Sequence, residues 1–165
     1  MSLDNIQLPV EVVTNLFKNS LVELDSQQPS AVNKTEASFN FLGNHEKKVV
    51  ILVNEPDAIY LKEEELNLLL NILAACKLTM ADIAVVNIAK NTITYKQLND
   101  SLQSQIVLLI GTTPAEIDLP LDFPMYKIQV YNNQQYVCSV SLQHLLTDKV
   151  EKGKLWLTLK AVFNI

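Results

Sequence analysis

The side chains able to do chemistry are few in this chain, and the densest polar group is Asn54, Glu55 and Asp57 around Pro56. Carboxylates beside an amide can position an attacking water or hold a cation. The same residues around a proline also suit turn chemistry, in which Asn and Asp satisfy local amides. A second acidic cluster, Glu63, Glu64 and Glu65, opens an apolar helical pattern, where the positive end of the helix dipole favours negative charge. It is read as a helix start and not as a metal site. Histidine occurs only at 45 and 144, so a Ser-His-Asp arrangement has almost no base to draw on. His45 falls in a polar stretch and His144 in a short amphipathic one, and both are expected at the surface.

Other instruments of catalysis are equally scarce. Cys76 lies in an apolar helix pattern and Cys138 in a strand pattern, with no CxxC pair and no histidine at ligand spacing. Buried free thiols are expected and zinc is not. Glycine occurs only at 43, 111 and 153, so neither GxGxxG nor GxxxxGK[ST] is present. A lone Gly111 does not provide the close backbone approach that a pyrophosphate needs. No catalytic residue, cofactor or metal is therefore expected. All thirteen basic residues are lysine and the net charge is −5. Without the guanidinium fork that reads phosphates and guanine edges, sequence-specific nucleic-acid reading is not expected.

The elements that must position these residues are written in hydropathy. Three continuous apolar runs, Lys48 to Asn54, Ile83 to Ile88 and Ile106 to Thr112, alternate with helical patterns. Continuous runs imply strands buried on both faces, the habit of parallel sheets. A helix is expected over about Lys62 to Cys76, with Leu66, Leu69, Leu70, Leu73 and Ala74 inward, and another over Tyr95 to Leu102 capped by Thr94. Met125 to Tyr131 and Tyr136 to Val140 flank Asn132-Asn133-Gln134-Gln135. They suit a hairpin, or a fourth sheet strand followed by an edge strand. Ser141 caps Leu142 to Leu146, and a last helix covers about Val150 to Phe163, with a break possible near Gly153. Its inward residues are Leu155, Trp156, Leu159, Val162 and Phe163.

Toward the beginning, Val10, Val13, Phe17, Leu21 and Leu24 repeat at helical steps and form one apolar stripe. Such a stripe docks on its own core or lies in a groove on a partner. A polar stretch follows, carrying an apolar island at Phe39, Phe41 and Leu42. The organisation expected is an amphipathic helix over 1–24, a polar linker over 25–46 and an α/β domain over 47–165. That domain is a three-layer αβα body around a mainly parallel sheet of about four strands. With 165 residues and 48% apolar content, one core is expected. The opening residues lack a secretory pattern and no run reaches the roughly 18 apolar residues of a membrane span, so a cytoplasmic setting and no membrane partner are expected.

Element order joined to particular residues resembles two related families. Val49-Val50-Ile51-Leu52-Val53-Asn54-Glu55-Pro56, a leucine-rich helix, Val85-Val86-Asn87-Ile88 and Leu109-Ile110-Gly111 are similar to the uracil-DNA glycosylase superfamily core. The closing residues Leu142, Leu145-Leu146-Thr147-Asp148, Lys152, Leu155-Trp156 and Leu159 resemble the ending of the psi subunit family of bacterial DNA polymerase III. That family is a noncatalytic clamp-loader component and a degenerate member of the glycosylase fold. The resemblance spans about residues 47–163. It implies a bridging protein in DNA replication, whose N-terminal segment engages clamp-loader ATPase subunits and whose body holds a second small subunit.

Departures from both families are plain. The loop after the first strand reads Asn-Glu-Pro-Asp, without the glycine and aromatic customary in glycosylases, and the late His-Pro-Ser type loop is missing. The pattern over Leu8 to Leu24 is a long helix where psi has a short recognition segment. The first functional expectation is thus a noncatalytic interaction subunit with protein partners. The alternative is a glycosylase-fold enzyme or small-ligand binder using Asn54, Glu55 and Asp57.

Overall fold

A computed structural model describes residues 39–165. The stripe Val10, Val13, Phe17, Leu21 and Leu24 lies outside them. Each apolar run forms a strand: β1 is Val49–Val53, β2 Ile83–Asn87 and β3 Ile106–Ile110. Helix α1, Glu63–Ala75, joins β1 to β2, and α2, Tyr95–Leu102, joins β2 to β3. A 3₁₀ turn, Pro114–Ile117, follows β3. Strands β4, Gln129–Tyr131, and β5, Gln134–Ser139, then precede helices α3, Leu142–Thr147, and α4, Lys149–Phe163.

These elements build an α/β fold on a mostly parallel sheet of five strands in the order β2-β1-β3-β5-β4, one more strand than expected. Only β4 runs antiparallel, paired with β5 in a hairpin. The hairpin reading holds and the alternative is reversed: the first segment, β4, is the edge strand, and the second, β5, is the fourth parallel strand, beside β3. Asn132 and Asn133 both take positive φ, 50° and 60°, as a two-residue turn of the twist-matched kind requires. The strand reaches back to Gln134 because that side chain is buried and donates to the Ser104 carbonyl at 2.7 Å.

Because side chains alternate along a strand, β1 sends Val49, Ile51 and Val53 to one face and Val50 and Leu52 to the other. The first set packs under Leu69 and Leu73 of α1, Leu142 and Leu145 of α3, and Leu155, Leu159 and Val162 of α4. The second packs under Leu98 of α2 and Ile117 and Leu119 of the following segment, with Phe39. That is a three-layer arrangement with both faces covered. The inward face of α1 is rotated from the expected one: Glu65, Leu69 and Leu73 are buried, whereas Leu70 and Ala74 face solvent. Residues at steps of four from Glu65 meet the sheet, so a glutamate replaces a leucine on the stripe. Helix α4 runs unbroken through Gly153, where nothing crowds the backbone.

The outer edge of β2 is covered from within the stretch expected to be linker. Leu42 bridges Val85, with amide-to-carbonyl distances of 2.9 and 2.8 Å, and Phe39 is buried in the body. Gly43 permits this approach, since a Cβ there would stand 2.2 Å from the Ile83 carbonyl oxygen. His45 is a half-buried clip, not a free surface residue: its Nε2 lies 2.9 Å from the Leu102 carbonyl and its Nδ1 3.3 Å from that of Val49. His144 is exposed, 3.7 Å from Asp148. Both thiols are buried and free. Among the described residues, no helix is long and apolar enough to cross a membrane.

Candidate functional site

In open α/β sheets ligands collect outside the strand carboxyl ends, where neighbouring connections leave toward opposite faces. Here that point lies between β1 and β3. The chain leaves β1 for α1 on one face and leaves β3 for the 3₁₀ turn on the other. Asn54, Glu55 and Asp57 stand at this rim, as the sequence placed them, and the fold brings Lys62, Glu65, Asn87 and Glu116 to them.

What these groups do there is bind one another. Asn54 is exposed and its Nδ2 donates to Glu116 Oε1 at 3.0 Å, closing the crevice between β1 and β3. Glu55 is buried, and Lys62 Nζ lies 2.9 Å from its Oε1 and 3.2 Å from Asp57 Oδ2. Hydrogen bonding to Glu55 and then to Asp57 holds the Lys62 ammonium above its ordinary pKa. One lysine thus serves two of the three candidate carboxyl and amide groups.

Asn87, fully buried at the end of β2, holds the whole β1 loop. Its Oδ1 accepts from the Glu55 amide at 3.0 Å and from the Ala89 amide at 3.1 Å. Its Nδ2 donates to the carbonyls of Glu55, Ala58 and Ile59 at 2.6, 3.0 and 3.2 Å. Sequence reasoning noticed Asn87 only within the family resemblance. Its partners in the β1 loop are some thirty residues away, and no local pattern announces them; the one signal was a polar residue within an otherwise apolar run.

Glu65, read from the sequence as one of three helix-start glutamates, does open α1 and also lines the rim. Its Oε2 accepts from the Lys62 amide at 3.4 Å, which caps α1, and its carboxyl sits beside that of Glu55. Burial, foremost, and the neighbouring Glu55 charge push the Glu65 carboxyl above the usual range, against the lowering effect of the Lys62 amide. The cleft bounded by Asn54, Glu55, Leu61, Glu65 and Ser141 encloses about 20 Å³. That is room for about one water and far below the ~300 Å³ at which small-molecule pockets begin.

Larger concavities lie elsewhere. A groove of about 220 Å³ between α1 and α4 is lined by Ile72, Leu155, Trp156 and Leu159. An open groove of about 480 Å³ runs between Tyr126–Gln129 and the Leu157, Thr158 and Ala161 face of α4. Neither shares a residue with the rim. The chain matches no family model and no curated protein.

Proposed function

We propose that this protein is a noncatalytic interaction subunit that works by contact through the flanks of its α/β body. In this reading it is a psi-like accessory subunit of a bacterial DNA polymerase III clamp loader, on a uracil-DNA glycosylase-like three-layer fold. The observation that carries the noncatalytic part is the closure of the rim: Lys62 engages both Glu55 and Asp57, Asn54 is bonded across the crevice to Glu116, and the cleft beside Asn54, Glu55 and Glu65 encloses about 20 Å³. A flipped base has no room there. The psi assignment rests on the element order and on the residues from Leu142 to Leu159 that resemble that family's ending. Mixing the full chain with clamp-loader ATPase subunits and following co-elution by size-exclusion chromatography tests it, with a chain lacking residues 1–24 as the second arm. Co-elution lost on that truncation, with the near-ultraviolet dichroism of the body retained, is expected. Independent elution of the intact chain ends the psi reading.

The alternative, an enzyme or small-ligand binder at the same rim, is favoured by one feature. Glu65 is a buried carboxyl beside a second carboxyl, with its pKa raised first by burial and also by Glu55, a combination found at acid-base sites as well as in structural networks. Release of uracil from uracil-containing DNA that is abolished by Glu65→Gln would establish it over the contact reading.

A further inference from the structure

Helices α1 and α4 cover the same face of the sheet and leave a trough between them. Toward the sheet α1 turns Leu69 and Leu73, and α4 turns Leu155, Leu159 and Val162. Above that layer the α1 wall carries Asn71 and the small Ala75, and the α4 wall carries Trp156, the single tryptophan of the chain. A short amide and a methyl group do not fill the space beside an indole, so the groove of about 220 Å³ remains open. Ile72, Leu155 and Leu159 also wall a void of about 10 Å³ that reaches core residues Cys76 and Phe163, so these three form the floor of the groove.

The polar groups at the edge of an apolar site select what enters it. Asn71 on one wall and Lys152 on the other are the polar side chains here, and no carboxylate lines the groove. The Lys152 ammonium reaches the Leu146 carbonyl only at 3.5 Å, a weak contact. Lys160 lies on the same flank, its ammonium 5.5 Å from the centroid of the Trp156 ring. Lys47, Lys62 and Lys154 each hold a carboxylate, whereas among the described residues none is within ion-pair distance of Lys152 or Lys160. The complement of this groove is therefore an anion with an apolar body.

Size and polarity narrow the class. An apolar cavity of ~150 Å³ takes up benzene, and by that scale the groove suits a chain of about eight or nine carbons. Inorganic phosphate would leave the apolar walls in water. The carboxyl end of a partner protein would bring main-chain amides and carbonyls into the groove, where Asn71 alone could answer them. A second copy would set its own Lys152 and Lys160 against these, which like-charge repulsion disfavours.

We infer that the groove between α1 and α4 binds a medium-chain fatty acid, its carboxylate held at the edge by Lys152 and Asn71 and its alkyl chain lying on Ile72, Leu155 and Leu159 beside Trp156. This goes beyond the contact reading and is independent of the rim, with which the groove shares no residue.

Trp156 reports occupancy. Sodium octanoate titrated into the full chain should change the tryptophan fluorescence saturably, with one equivalent bound by calorimetry, and octylamine, a cation of the same length, should not do so at equal concentration. Lys152→Glu should weaken octanoate binding at least about fivefold, because attraction at the groove edge becomes repulsion. Ala75→Phe places a ring in the groove and should abolish the calorimetric signal. Neither residue belongs to the buried core, so both variants should keep the urea midpoint of the parent. Equal response to octanoate and octylamine, or parental octanoate affinity in both variants, overturns the assignment. So does an acetylated peptide ending in leucine that displaces octanoate at lower concentration, since the site would then be one for a chain end. Dimerisation that Ala75→Phe abolishes, without octanoate binding to the parent, overturns it in favour of a second copy.

Discussion

Asn87 bonds both sides of the Glu55 residue, its Oδ1 accepting from the Glu55 amide at 3.0 Å and its Nδ2 donating to the Glu55 carbonyl at 2.6 Å. One buried amide therefore satisfies main-chain groups of a loop that no regular element supports. Removing it leaves buried donors and acceptors without partners, each costing about 1–3 kcal/mol. Asn87→Ala should destabilise the protein by about 3 kcal/mol in urea unfolding. A loss under about 0.5 kcal/mol would mean that water or neighbouring groups replace these bonds.

Glu65 makes the stability depend on pH in an unusual direction. Its pKa is raised in the folded state, so the folded protein holds the proton more tightly than the unfolded chain, whose value is near 4.5. Below 4.5 both states are protonated and no penalty exists; as pH rises through the folded value, ionisation of the buried carboxyl beside Glu55 costs stability. Glu65→Gln keeps an oxygen to accept from the Lys62 amide. It should stabilise the protein at pH 7, and the gain should vanish below about pH 4.5. A constant difference between variant and parent across that range would refute burial as the cause.

The α/β class and the three central strands were legible because doubly covered strands have no polar alternation to obscure them: Val49–Val53 is apolar at every position. Helix α2 was legible from Thr94, whose side chain accepts from the Gln97 amide as a capping residue does. The rim was legible only as a place. That Asn54, Glu55 and Asp57 stand at a strand end follows from local pattern, but Lys62, Asn87 and Glu116 reach them by tertiary packing, which carries no period. Glu65 was legible as a helix start, which it is, but not as a buried group. Its place inside follows from the steps of four that align it with Leu69 and Leu73 on the sheet-facing stripe and from its bond to the Lys62 amide, neither of which hydropathy announces for a glutamate.

Burial governs the thiols as well. It pushes the Cys138 thiol up to about 11 and raises that of Cys76. The thiolate is the reactive form, so iodoacetamide at pH 8 should modify neither cysteine in the native protein over a period that fully labels both in urea. Mass spectrometry reads the outcome directly. Rapid native labelling at Cys138 would show that β5 opens.

The β4–β5 turn depends on Asn132 and Asn133 tolerating positive φ, 50° and 60°. Asn133→Gly should leave the urea midpoint nearly unchanged, because glycine takes this conformation freely. Asn133→Val places a β-branched residue in the left-handed region, at a cost of about 1–2 kcal/mol. Equal midpoints for the two variants would mean that the hairpin contributes nothing to folding.

The same substitution should act with opposite sign at two glycines. Gly153 lies inside α4, and a Cβ added there meets nothing within 4 Å. Gly153→Ala removes backbone entropy from the unfolded chain and should stabilise the protein by about 1 kcal/mol. Gly111 sits at the end of β3 with φ +70°, and an added Cβ would stand 2.8 Å from the Ser141 Cβ. Ser141 caps α3 by accepting from the His144 amide at 3.3 Å, so it cannot retreat without losing that bond. Gly111→Ala should therefore cost about 2 kcal/mol or more, from left-handed strain and the crowded contact together. Thermal unfolding of both variants decides it: a Gly111→Ala protein as stable as its parent would require the β3 end and the α3 cap to be farther apart than they are here.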